Sequence, residues 1–195
     1  MTARLAILIS GRGSNMKAIL DESRDGILKG ICNVVVVVSN MCDAAGLNTA
    51  QEAGVDALCV PSKGKKRQEF ETELIEALEP YKPDYIVLAG FMRILTPYFI
   101  NHFRSKILNI HPADTALFQG VGGYEWAYEN KLTETKITVH FIDDGVDTGP
   151  VIAQKTVDLR GADSLEEIQI RGLKVERKFY SEVIRDVILH KENIQ

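Results

Sequence analysis

Cysteine is scarce in this chain. Only Cys32, Cys42 and Cys59 occur in 195 residues. The number is odd and no two stand at a close ligand spacing, so the sequence offers neither a disulfide framework nor a zinc site, and no metal is expected. Long hydrophobic runs are missing as well. The longest, from Val34 to Val38, has five residues, against the roughly 18 a membrane span needs, so no membrane partner is expected. A surplus of positive charge is also absent: 23 Lys and Arg face 27 Asp and Glu, for a net charge of −4. Proteins that ride on nucleic-acid backbone carry a basic footprint, and no nucleic-acid partner is expected here. The one basic run, Lys63, Lys65, Lys66 and Arg67, reads by itself as a solvated loop. No signal peptide precedes the first apolar run, and with the sparse cysteines this reads as a reducing, cytoplasmic compartment. Repeats and low-complexity linkers are lacking, so residues 1–195 read as a single domain, long enough to bury a core without staples.

Short apolar runs alternate with helical patterns instead. Arg4 to Ser10 is a short apolar run, long enough for a buried strand, and the β-branched Asn33 to Ser39, apolar throughout Val34 to Val38, carries the signature of a strand covered on both faces. Asp56 to Val60, Tyr85 to Ala89 and Lys106 to Ile110 are further strands. Between them fall a helix bearing Met16, Ile19 and Leu20, and a helix over Asp43 to Ala53 with Asp43 as N-cap and Gly54 as stop. A helix follows over Lys66 to Glu79, closed by Pro80 and Pro83, then a short one near Pro97 to His102. This rhythm predicts an α/β fold with a doubly wound, mostly parallel sheet. Past Gly120 it changes. Lys136 to Ile142 alternates, and Val151 to Asp158 follows a Gly149-Pro150 turn, which predicts a C-terminal β-extension. A long last helix starts at Asp163 or Ser164, with Ser164 and Glu167 spaced as a capping box.

Three segments carry candidate chemistry. Gly11-Arg12-Gly13-Ser14-Asn15 joins the first strand to the first helix, where backbone N–H groups and the helix dipole suit a single phosphate. It is a poor dinucleotide loop, since the third glycine of G-x-G-x-x-G falls on Met16 and Ser39-Asn40 stands where an acid would hold a ribose. It also lacks the Gly-Lys-Ser/Thr ending of a P-loop. A plain tight turn remains an equal reading. Asn109 and His111 lie two apart at the C-terminal end of a strand, on one face. Asn109 has the donor for a developing oxyanion. His111 is either a proton shuttle or a strand-end histidine bonded to backbone. The segment from Asp143 to Pro150 is either turn chemistry or the source of a carboxylate that raises the His111 pKa. His102, His140 and His190 read as structural.

In this order the pieces resemble the phosphoribosylglycinamide (GAR) formyltransferases, a folate-dependent formyltransferase family with a Rossmann-like fold. The resemblance rests on Ser10-Gly11-Arg12-Gly13-Ser14-Asn15, on Leu88 to Leu95 (LAGFMRIL), on Leu108-Asn109-Ile110-His111-Pro112 and on Asp147-Thr148-Gly149-Pro150. It runs from about residue 3 to residue 188. It implies formyl transfer from 10-formyltetrahydrofolate to the amine of GAR in purine biosynthesis, with small molecules as partners. Asn109, His111 and Asp147 would be catalytic. Gly13, Ser14 and Asn15 would hold the substrate phosphate, Pro112 would border the acceptor, and Glu176 would take the ribose hydroxyls. Met92, Arg93, Ile94, Leu95 and Asn109 would line the folate site. The pterin would lie against the 142–147 loop, which contains Asp143 and Asp144, with Arg67 near the folate tail. A homodimer is implied by the resemblance alone.

One stretch departs from the family. Where the usual continuation after His-Pro resembles Ser-Leu-Leu-Pro, this chain has Ala113-Asp114-Thr115-Ala116-Leu117-Phe118-Gln119-Gly120. A proline is lost and an acid gained beside the acceptor. Formyltransferases for other small amines, formyltetrahydrofolate hydrolases and a non-catalytic binding protein for folate or a phosphorylated metabolite therefore stand as alternatives.

Overall fold

The apolar runs form strands and the mixed-period segments form helices, in the computed structural model of residues 2–190. The elements are β1 (Ala3–Ile9), α1 (Ser14–Asp25), β2 (Cys32–Ser39), α2 (Ala45–Glu52), β3 (Ala57–Cys59), α3 (Arg67–Leu78), β4 (Tyr85–Leu88) and α4 (Pro97–His102). They continue as β5 (Ile107–His111), α5 (Gly123–Glu129), β6 (Glu134–Phe141), β7 (Val151–Asp158) and α6 (Leu165–Leu189). One sheet runs β3-β2-β1-β4-β5-β6-β7. β1 to β5 pair in parallel, and β6 and β7 add antiparallel. The parallel strands are apolar on both faces because both faces are covered. Leu5, Ile7 and Ile9 pack with Met16, Ile19, Tyr180 and Ile184 on one side, and Ala6 and Leu8 with Phe70, Leu74 and Phe99 on the other.

The order of strands reverses between β1 and β4, the place where open α/β sheets bind ligands. Loops at the C-terminal ends of β1, β4 and β5 meet there. Ser10 ties two of them: its hydroxyl accepts from Met92 N at 2.7 Å and donates to Asn40 Oδ1 at 2.5 Å. Below this edge the fully buried Tyr180 hydroxyl lies 3.1 Å from the carbonyl of Leu88 and 3.0 Å from that of Leu108, locking α6 under β4 and β5.

Two expectations need correction. Asp43 does not cap α2. Ala44 occupies the cap with no side-chain bond, because a turn closed by Ala44 N on Met41 O sets the helix start one residue later. Cys42 and Cys59 form a disulfide, with Cα atoms 5.1 Å apart, inside the range that bond requires. Ser39 at the end of β2 pairs with Cys59 in β3, which brings the following loop over Cys59. Cys32 remains a buried free thiol. The Ser164 cap holds: Glu167 N donates to Ser164 Oγ at 3.2 Å, while Glu167 Oε2 accepts from Asp163 N rather than from the cap residue itself.

Candidate active site

β5 delivers Asn109 and His111 to the C-terminal edge of the sheet, and the turn between β6 and β7 carries Asp147 over them. Asp147 sits in the left-handed region at φ 52, a conformation Asp tolerates better than most residues. One of its oxygens accepts from Asn109 Nδ2 at 3.1 Å. The other accepts from Gly120 N at 2.9 Å and lies 3.3 Å from His111 Nδ1. The sequence-predicted trio thus meets through a single carboxylate.

The electrostatics differ from expectation. Asp147 does push the His111 pKa up, but burial of the ring outweighs it, and the pKa ends below the ordinary histidine value. Asp147 itself is held below the usual carboxylate range: burial opposes this, and the His140 contact, the hydrogen bond from Gly120 N and the nearby His111 together overcome burial. His111 Nε2 lies 3.1 Å from the Phe118 carbonyl, so both ring nitrogens face acceptors. The Phe118 ring stacks near His111 on one side and Trp126 on the other.

His140, read from the sequence as structural, belongs to the site. It is 1% exposed, with Nε2 3.2 Å from Asn109 Nδ2 and 3.4 Å from Asp147 Oδ1. Its Nδ1 lies 2.8 Å from the Phe141 carbonyl. That contact needs a proton on Nδ1, which leaves Nε2 to accept from Asn109. Both Asn109 N–H bonds are then engaged, one by His140 and one by Asp147. The signal for His140 is the antiparallel register that sets it opposite Asn109, a pairing no spacing within one strand reveals.

A cavity of about 410 Å³ opens from this trio. Leu88, Met92, Ile94, Leu95, Ile142 and Val146 supply apolar walls, and Arg93, Pro112, Asp143 and Val121 complete its rim. Arg67 and Asp144 are not among the lining residues. Arg67 is the exposed first residue of α3, and Asp144 is exposed in the loop before β7. An apolar-walled cavity with a few polar groups, among them Asn109, His111 and Asp147, fits a heteroaromatic ligand.

The acceptor-side residues form a second cluster. Gly13, at φ 71, starts α1. Asn15 Nδ2 donates to Glu176 Oε2 at 2.6 Å, and the Tyr124 hydroxyl donates to Glu176 Oε1. Glu176 raises the His111 pKa, which places the two clusters within electrostatic reach. Asp114, the added acid of the atypical loop, is spoken for: Lys136 Nζ lies 2.8 Å from one oxygen and Gln154 Nε2 3.1 Å from the other, and the Lys136 contact leads in holding its pKa low. Its charge is neutralised against β6 and β7.

The family model described as formyl transferase matches residues 3–184. The chain belongs to the formyl transferase family. It is 40% identical over 181 residues to the phosphoribosylglycinamide formyltransferase of Escherichia coli (strain K12), covering 92% of this chain and 84% of that one. Among solved structures it is similar to the glycinamide ribonucleotide transformylase 1 of Symbiobacterium toebii, with TM-score 0.89 and 39% identity over 94% of this chain and 86% of that one. It is also similar to the phosphoribosylglycinamide formyltransferase of Bacillus halodurans, with TM-score 0.91 and 30% identity over 98% of each chain. For a formyl transferase the arrangement is chemically apt: a folate-type donor requires apolar walls, and formyl transfer requires polar groups beside them.

Proposed function

We propose that this formyl transferase moves the formyl group of 10-formyltetrahydrofolate to the amine of GAR, giving formyl-GAR and tetrahydrofolate. The observation that carries the reading is the convergence of Asn109, His111 and Asp147 in the lining of the apolar cavity. When bound, the folate supplies an electrophilic formyl carbon. The cavity walls at Met92, Ile94, Leu95 and Val146 would orient the ring system and exclude water, with the backbone of the 142–147 loop along its edge. Ser14 and the backbone N–H groups at the start of α1 would hold the acceptor phosphate, Pro112 would border the amine, and Glu176 would face the ribose.

The acceptor amine must be neutral to attack, and a simple α-amino group has a pKa of about 7.7–8.0, so a useful fraction is free near neutrality. Negative charge grows on the formyl oxygen as the amine adds. Asn109 would turn an N–H from Asp147 or His140 toward that charge, and His111 would take the amine proton and give it to the folate nitrogen N10 as the bond from N10 to the formyl carbon breaks and tetrahydrofolate leaves. Because burial holds the His111 pKa down, the ring starts neutral near pH 7 and is suited to accept that proton. Asp147 would then stabilise the imidazolium it becomes.

Formation of tetrahydrofolate is to be followed with and without GAR. Turnover only with GAR is expected. Turnover without any amine would make the protein a hydrolase, turnover with other amines alone would reassign the acceptor, and binding without turnover would leave a binding protein. His111→Ala should lower turnover by 10²–10³, about the loss of one such group, with donor affinity kept. Near-normal turnover would remove His111 from the chemistry.

A further inference from the structure

Three buried polar side chains on the acceptor side form a one-directional chain. Tyr124 is 8%, Glu176 6% and Asn15 7% exposed. The Tyr124 hydroxyl donates to one oxygen of Glu176, and the Asn15 amide N–H to the other. The donor–acceptor sense is fixed, since a carboxylate only accepts and a phenol at neutral pH donates. Burial first, and the Glu176 charge second, raise the Tyr124 pKa, so the phenol keeps its proton. With its N–H on Glu176, the Asn15 amide presents its oxygen on the other side. Asn15 Oδ1 is buried with no hydrogen-bond partner among the described residues. A buried acceptor left without a donor is costly, so a ligand donor that reached Asn15 Oδ1 would relieve that cost.

The chain also has a steric device that keeps Tyr124 in place. Gly172 on α6 faces the phenol ring: a Cβ there would lie 2.2 Å from the Tyr124 Cε1 and hydroxyl atoms. Any side chain at 172 would push the hydroxyl off Glu176. A large residue on α5 and an absent one on α6 are therefore matched in size, and the match serves one hydrogen bond.

We propose that Tyr124, seated in the Gly172 notch, is a positioning residue that sets acceptor specificity: through Glu176 it turns the Asn15 amide so that Oδ1 receives a hydroxyl or N–H donor of the acceptor substrate. The inference rests on the reading that this side of the site takes the amine. It assigns the Asn15 side chain to a neutral donor group, the chemistry of a sugar hydroxyl or an amide, rather than to a phosphate. A phosphate dianion has no donor to give Oδ1, so its contacts fall to backbone N–H groups and Ser14.

Tyr124→Phe keeps the ring against Gly172 and removes only the O–H. The first readout needs no turnover. The NMR resonances of the Asn15 side-chain amide shift in the variant, and identical resonances overturn the relay. Should the variant unfold, Gly172→Ala, whose Cβ displaces the Tyr124 hydroxyl and leaves Glu176 and Asn15 intact, serves for the same readout, with the same two outcomes. In turnover with GAR, the KM for GAR rises about tenfold, the size of one lost hydrogen bond, while the KM for the formyl donor stays put. An unchanged KM for GAR, or an equal rise in both, overturns the proposal. An analogue of GAR lacking both ribose hydroxyls gives the last comparison: the native protein prefers GAR, and Tyr124→Phe loses most of that preference. Equal preference in both proteins defeats the specificity role. Failure of the native protein to use GAR strikes the proposed function, whereas an unmoved Asn15 resonance strikes this inference alone.

Discussion

Asp147 is the residue on which the site turns, because it accepts from Asn109 and Gly120 and faces both His111 and His140. Its charge opposes the burial that lowers the His111 pKa. Removing it takes away the strongest of the groups that oppose burial, the Phe118 carbonyl and Glu176 remaining, so Asp147→Asn should move the His111 pKa further down. The ring protons followed by NMR against pH give the measurement, and an unshifted titration would break the electrostatic link. That Asn109 and His111 share one face was legible from strand alternation, and the turn-rich acidic segment offered a carboxylate, but the choice of Asp147 over Asp143 and Asp144 came only with the family resemblance. His140 was not legible, since its role comes from the residue opposite it in another strand. Tyr124 escaped for a related reason: it matters through a glycine 48 positions later on α6. The charge of Asp114 was legible, and its harmlessness was not, because Lys136 and Gln154 reach it only after β6 and β7 pair.

At the level of elements, the long apolar runs were the readable ones. β1, β2, β4 and β5 fall where continuous apolar stretches predict strands, and Ser164 starts α6 where the capping spacing puts it. β3 is only three residues long, too short for its partner to be inferred, and the Cys42–Cys59 bond went unseen with it. That bond closes a segment of 17 residues in sequence separation. By loop closure such a cross-link is worth about 3 kcal/mol. Cys42→Ser should lower stability by about that amount in urea titrations without reductant, and the difference should vanish when reductant is present. Equal stability without reductant would show that the bond contributes nothing. The same loop carries Asn40, which holds Ser10, which holds Met92 N, so the cross-link braces one wall of the cavity from a distance.

For the whole molecule, the alternation of strand and helix was enough to predict a doubly wound sheet, and the change of rhythm after Gly120 marked its antiparallel extension. The order of strands was not readable, as it depends on which crossover turns back over β1. Burial of His111 also has a global consequence. A histidine whose folded pKa is depressed binds its proton more readily when unfolded. Its contribution to stability is therefore present above the ordinary value of about 6.5 and is lost as pH falls through the lower folded value. Thermal midpoints should drop over that window, and His111→Gln should flatten this part of the profile. An identical acid slope in the variant would assign the loss to other groups.

The sheet order has one more implication, for the timing of synthesis. Of the site residues, Gly13 to Asn15 leave the ribosome first, then Asn109 and His111, then Asp147, then Glu176. β6 and β7 lie at one edge and α6 closes over strands made long before. A nascent chain that has built β1 to β5 holds most of the cavity wall, yet it has neither the carboxylate over His111 nor the partner for Asn15. Domains generally fold as units, and in this one the later of these segments make the earlier ones useful.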